Sequence, residues 1–172
     1  MAHREVMVVA GARTAIGDYG GALKDVAPTR LGAIAIKEAL ARAKIDAALV
    51  GHVVLGSVIH GEARDMYISR VAAIEAGLPV GTPCLTVNRL CGSGLQAIVS
   101  ASQHILLGDV DVAIGAGAES MSRAMAQASA RIISDMCLAN VTFAIFGTKP
   151  MPSRLTMSRP ASRLRATMSK PA

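Results

Sequence analysis

The run Leu85-Thr86-Val87-Asn88-Arg89-Leu90-Cys91-Gly92-Ser93-Gly94-Leu95-Gln96-Ala97-Ile98 constrains this chain more than any other part of it. A short apolar run passes through a cysteine and two glycines into a helical pattern. Leu95, Ile98, Val99, Ser102, Ile105 and Leu106 recur at helical spacing and predict one buried face. Cys91 therefore falls at a strand-to-helix turn, at or just before the helix N-terminus. The positive end of the helix dipole and its unpaired N–H groups favour an anionic sulfur there. Gly92 and Gly94 let backbone amides approach a substrate. Two plainer readings stand beside this one. A cysteine among apolar neighbours is most often a small core residue, which is the reading for Cys84. A Gly-x-Gly opening a helix can cradle phosphate, but no GxGxxG or P-loop lysine accompanies it.

The rest of the chain alternates strand and helix. Val6 to Ala10 reads as a first strand ended by Gly11, and Thr14 to Val26 as a glycine-containing loop. Pro28 opens a helix with Thr29 as its cap and Ala33, Ile36, Leu40 and Ala43 as its buried stripe. His52 to Ile59 is a near-continuous apolar run, as in a strand covered on both faces. Asp65 caps a second helix, striped by Tyr67, Val71 and Ile74 and ended by Gly77 and Pro79. Leu85 to Val87 is the third strand. The cysteine helix follows it to about Leu107. Val110 to Ile114 is the fourth strand, with Gly115-Ala116-Gly117 as the turn after it. The expected fold class is α/β: a layered, mainly parallel (mixed) sheet with helices. Ligands of such sheets bind beyond the carboxyl ends of the strands, where Cys91, His60, Glu119 and Ser120 all fall. Glu119 reads as fixing local structure, and the lone His60 as a loop residue.

VNRLCGSGLQAI resembles the nucleophile segment of the thiolases. ARTAIGDYGGALKDV, GSVIHGEARDMYISRVAAIEAGLP and DVAIGAGAESMSRA resemble other segments of that family, in the same order. The resemblance covers residues 4 to 124 and implies the N-terminal half of a duplicated fold. It also implies an enzyme, an acetyl-CoA C-acyltransferase (acetyl-CoA acetyltransferase or β-ketothiolase) of fatty-acid metabolism. Its substrates are short-chain acyl-CoA and CoA, and it needs no cofactor. On this resemblance Cys91 is the catalytic nucleophile. It attacks the β-keto carbon, acetyl-CoA leaves as its enolate is protonated, and the acyl-cysteine thioester passes its acyl group to CoA. The backbone N–H of Cys91 contributes to the oxyanion site, and a thiol at a helix start suits covalent catalysis. Intact members are homo-oligomers.

The family also uses a histidine and a second cysteine, in GHPxG and CxGxG motifs that this sequence does not contain. His3, His52, His60 and His104 lie in no such motif, and Cys137 has no such surroundings. His104 is thirteen residues from Cys91 along one helix, hence roughly 20 Å away. No CoA-gripping loop is matched after Arg123, so the cofactor-binding residues stay unassigned.

Composition separates residues 1–124, a thiolase-like domain, from residues 125–172, an unmatched basic tail. The net charge is +6, yet residues 1–135 hold 12 basic and 12 acidic residues. The excess lies wholly in Lys149, Arg154, Arg159, Arg163, Arg165 and Lys170. Four of the seven prolines fall in the last 37 residues, with no acid and no sustained period. Such a segment is expected to be disordered, as a truncation scar or a shifted reading frame. Its scattered basic residues lack interleaved aromatics, which argues against a nucleic-acid role. Aromatics are only 2% of the chain, so its core is aliphatic and alanine-rich. No apolar run approaches the ~18 residues of a membrane span, and no signal peptide is read, so a cytoplasmic protein without a membrane role is expected. The odd count of three cysteines without CxxC speaks against a disulfide framework or a metal site.

Two functions follow from different classes. One is a thiolase-type acyltransferase, truncated and inactive as an isolated chain. The other is a non-catalytic remnant that binds thiolase subunits or another partner. A weaker third is a Cys/His hydrolase using His60 with Cys91.

Overall fold

The computed structural model describes residues 4–124 and 142–149. Five strands form one mixed sheet in the order β1-β5-β4-β2-β3. They are β1 (Glu5–Arg13), β2 (His52–Gly56), β3 (Cys84–Val87), β4 (Val112–Gly117) and β5 (Thr142–Lys149). The helices are α1 (Pro28–Ala43), α2 (Ile68–Glu75), α3 (Ser93–Leu107) and the short α4 (Met121–Ala124). β2 pairs in parallel with both β3 and β4, whereas β5 is antiparallel to β1 and β4.

The sheet is covered on both faces. Val53 and Leu55 of β2, with Val112, Ile114 and Ala116 of β4, pack with Leu31, Ile36, Ile68 and Ala72 of α1 and α2. The alternate residues Val54 and Ala113 pack with Ala97, Ala101 and Ile105 of α3. This period of two on a strand buried on both sides gives the near-continuous apolar text of β2 and β4.

Glycine sets how α3 lies. A Cβ on Gly56 would stand 2.4 Å from the Ser93 carbonyl carbon, and one on Gly115 would stand 2.8 Å from Ile98 Cα. The helix backbone rests directly on the strands, so its buried face is small: Ser93, Ala97 and Ala101, with Ile105 only in the last turn. This corrects the expected stripe. Leu95 is 67% exposed, and Val99 and Leu106 are exposed too. Large side chains cannot fit where backbone meets backbone.

Other boundaries and faces also differ from expectation. β1 runs on to Arg13, past Gly11. β2 stops at Gly56, and Gly115-Ala116-Gly117 belongs to β4 instead of a turn. Ala27, not Thr29, occupies the cap of α1; Pro28 takes the first turn and Thr29 is buried. Asp65 is the third residue of a 3-10 turn, Ala63–Tyr67, that precedes α2; its carboxylate caps the turn through Gly61 and Glu62 N–H. α2 buries Ile68, Ser69, Ala72 and Ala73, leaving Tyr67 and Ile74 outside, because small residues let it sit close to α1. Gly32 of α1 approaches Ala72 in the same way.

Residues 142–149, which by composition belong to an unstructured tail, form strand β5 between β1 and β4. The text Thr-Phe-Ala-Ile-Phe carries that strand in β-branched and aromatic residues. The proline and charge statistics of the surrounding segment mask it. The remaining residues of 125–172, Cys137 included, lie outside the described residues, as does His3.

Candidate functional site around Cys91

β2, β3 and β4 run parallel and end together. Their following loops carry His60, Cys91 and Glu119 to one end of the sheet. Cys91 sits four residues beyond Val87 and immediately before Gly92, the residue that caps α3. Its thiol is exposed.

The turn that holds it is tightly bonded. Ser93 Oγ accepts from Arg89 N–H at 2.8 Å and donates to Leu90 C=O at 2.7 Å. Gly92 N–H donates to Arg89 C=O, and Ser93 N–H donates to Leu90 C=O. Asn88 Oδ1 accepts from Leu90 N–H at 3.0 Å. Leu90 is held at φ +48°, a left-handed conformation costly for a leucine. Among the described residues Cys91 N–H makes no backbone hydrogen bond. An amide with no hydrogen bond among the described residues thus lies beside an exposed sulfur at the start of a helix.

Glu119 is a structural group, as its sequence context suggests. Its two oxygens accept from Val58 N–H at 2.9 Å and Ile59 N–H at 3.0 Å. Burial pushes its carboxyl above the usual range, and the two N–H bonds oppose that rise. His60 Nε2, Ser57 Oγ, Asp65 Oδ1 and Arg123 Nε are buried without partners among the described residues. Among the described residues no hydrogen bond or ion pair joins His60 to Cys91. Ser120 is buried, and its carbonyl accepts from Arg123 and Ala124 N–H as α4 begins. Cys84 is half-buried on β3, and burial raises its thiol. His104 lies at the far end of α3, bonded to Asp109 and stacked on His52. Among the described residues no group of three or more ligating side chains could hold a metal ion, and no helix is long and apolar enough to cross a membrane.

Sequence reasoning passed over Asn88 and Ser93. Both are short polar residues flanking a turn, which is the signal for side chains that bond nearby backbone. That signal does not say which backbone they bond.

Residues 6–147 match the family described as Thiolase, N-terminal domain. The chain belongs to the thiolase family. It is 69% identical over 121 residues to the beta-ketothiolase BktB of Cupriavidus necator, covering 70% of this chain and 31% of that one. It is 40% identical over 146 residues to the human mitochondrial 3-ketoacyl-CoA thiolase, covering 85% and 34%. The human mitochondrial 3-ketoacyl-CoA thiolase solved in complex with CoA superposes with a TM-score of 0.68 at 42% identity, over 70% of this chain and 30% of that one. The Bacillus anthracis acetyl-CoA acetyltransferase superposes with a TM-score of 0.67 at 38% identity. The chain spans about a third of the length of the thiolases it matches. The match to 147 takes in most of β5, so the thiolase likeness continues past Ala124.

Proposed function

We propose that this chain carries the acyl-accepting cysteine of a thiolase-type acyltransferase acting on short-chain acyl-CoA. The observation that carries the reading is the exposed Cys91 thiol at the start of α3, beside its own N–H, which makes no hydrogen bond among the described residues. In this reading the Cys91 sulfur attacks the β-keto carbon of a ketoacyl-CoA, and the oxyanion that forms takes the Cys91 N–H. The bond to the α-carbon breaks, acetyl-CoA leaves as its enolate is protonated, and Cys91 holds the acyl group as a thioester. A CoA thiol then attacks that thioester and restores Cys91. The family's base cysteine and activating histidine belong to motifs this sequence does not contain, so the chain alone accepts an acyl group without turning over. A place in cytoplasmic fatty-acid metabolism belongs to the same proposal. Assembly into homo-oligomers belongs to the same proposal.

The experiment is intact-mass spectrometry after exposure to acetoacetyl-CoA, with Cys91→Ser alongside. Gain of one acetyl group, absent from the variant, supports the reading. No gain in a chain whose circular dichroism shows a folded α/β protein counts against it. The exposed leucines of α3, Leu95 and Leu106, would then favour a non-catalytic subunit that packs against a thiolase or another protein.

A further inference from the structure

We propose that Glu119 and Asn88 are positioning residues for the Cys91 thiol, acting through the backbone of Val58 and Ile59. The inference rests on Cys91 being the acyl-accepting residue. Its geometry is a short chain of bonds between the ends of three strands. After β4, Glu119 grips two successive amides, Val58 N–H and Ile59 N–H, in the loop after β2. In the same loop Val58 C=O accepts from Asn88 Nδ2 at 3.3 Å. Val58 is therefore held from both sides, its N–H by Glu119 and its C=O by Asn88. Asn88, just after β3, spends its other end on Leu90 N–H. Leu90 is the strained residue directly before Cys91.

The physical logic is over-determination. A leucine at positive φ persists only where its surroundings leave no easier conformation. Ser93 fixes that turn from the helix side, and Asn88 fixes it from the sheet side. Asn88 is itself exposed at its hydrogen bonds, so on its own it is a weak anchor. Its tie to Val58 makes it firm, because Val58 is held by a charge-assisted bond to a largely buried carboxylate. Glu119 thus stiffens a turn it does not touch, and neither residue needs to meet substrate.

The test uses the whole 172-residue chain and reads thiol reactivity, not acyl transfer. Rates of iodoacetamide capture at Cys91 are measured by peptide mass spectrometry, with Cys84 as internal reference. Asn88→Asp keeps the acceptor for Leu90 N–H and removes the donor to Val58, at an exposed position where the fold is not at stake. Glu119→Gln removes the charge and one of the two acceptors. Each substitution is expected to slow Cys91 capture by about fivefold, the equivalent of one hydrogen bond, with Cys84 unchanged. The double variant is expected to be no slower than the slower single, since both cut one chain of bonds. Lowering the pH protonates Glu119 from a value above 4.5. The ratio of wild-type to Glu119→Gln rates at Cys91 should therefore fall toward one in acid while the same ratio at Cys84 stays constant; a general loosening of the fold would move both ratios. An unchanged or faster Cys91 in folded Asn88→Asp, or additive effects in the double variant, overturns the proposal. Alkylation needs no acyl-CoA, so failure of acetyl capture by the wild-type chain would sink the acyltransferase reading and leave this result standing.

Discussion

Gly115 in β4 faces the α3 backbone so closely that an added Cβ would stand 2.8 Å from Ile98 Cα and 3.1 Å from the Ala97 carbonyl oxygen. Both are main-chain atoms that cannot swing aside. Gly115→Ala is expected to lift α3 off the sheet and cost about 1–3 kcal/mol in urea unfolding. Gly81, where an added Cβ would meet nothing within 4 Å, serves as control: Gly81→Ala should stay within about 0.5 kcal/mol of wild type. Equal effects at the two positions would sink the close-packing account.

The two described cysteines differ in exposure, and their chemistry should follow. Cys91 is exposed, whereas Cys84 is half-buried with its thiol raised above 9.0 by burial. At pH 7 iodoacetamide should therefore label Cys91 well before Cys84. Raising the pH toward 9 should narrow the gap, because Cys84 then begins to ionise. Peptide mapping over a time course reads the order directly; earlier labelling of Cys84 would contradict it.

At the opposite end of the sheet His52 stacks on His104 with ring centroids 4.0 Å apart. Burial first, and then the neighbouring His104, lower the His52 value from 6.5, against a smaller opposing pull from Asp109. The unfolded chain then binds a proton at His52 more readily than the folded one. Stability is expected to decline as the pH falls through 6.5 toward the lower folded value, modestly because the ring is only partly buried. His52→Leu should flatten that part of the profile in denaturant titrations between pH 7.5 and 5.5. An unaltered slope would remove His52 from the explanation.

Asp65 is 1% exposed and takes both Gly61 N–H and Glu62 N–H on one oxygen. Asp65→Ala strands two amides at the entry to α2 and should cost about 1–3 kcal/mol. Asp65→Asn keeps an acceptor and should cost less. Thermal melts that rank the two in reverse order would refute the capping role.

Leu95 and Leu107 are 67% and 78% exposed on α3, with Val99 and Leu106 exposed alongside. Such a stripe invites association at high concentration. Sedimentation should show concentration-dependent self-association that weakens in Leu95→Gln with Leu106→Gln. A single monomer species at every concentration would rule this out.

The place of Cys91 was legible because a strand run, a Cys-Gly-Ser-Gly turn and a helical period follow one another within fourteen residues. Local text of that kind fixes local backbone. The alternation of β2 and α3 likewise carried the α/β class. The buried face of α3 was not legible. Hydrophobicity marks Leu95, Val99 and Leu106, but Gly56 and Gly115, distant in sequence, admit only Ser93, Ala97 and Ala101.

The sequence by itself determined the strand–turn–helix unit, the parallel arrangement it demands and the position of the thiol at its end, since short-range propensity and periodicity act along the chain. Only the tertiary structure decided that residues 142–149 complete the sheet between β1 and β4, and that Glu119 reaches Val58 and Ile59 some 60 residues away. Strand pairing and the partners of a buried carboxylate depend on which distant segments meet, and no local pattern encodes that meeting.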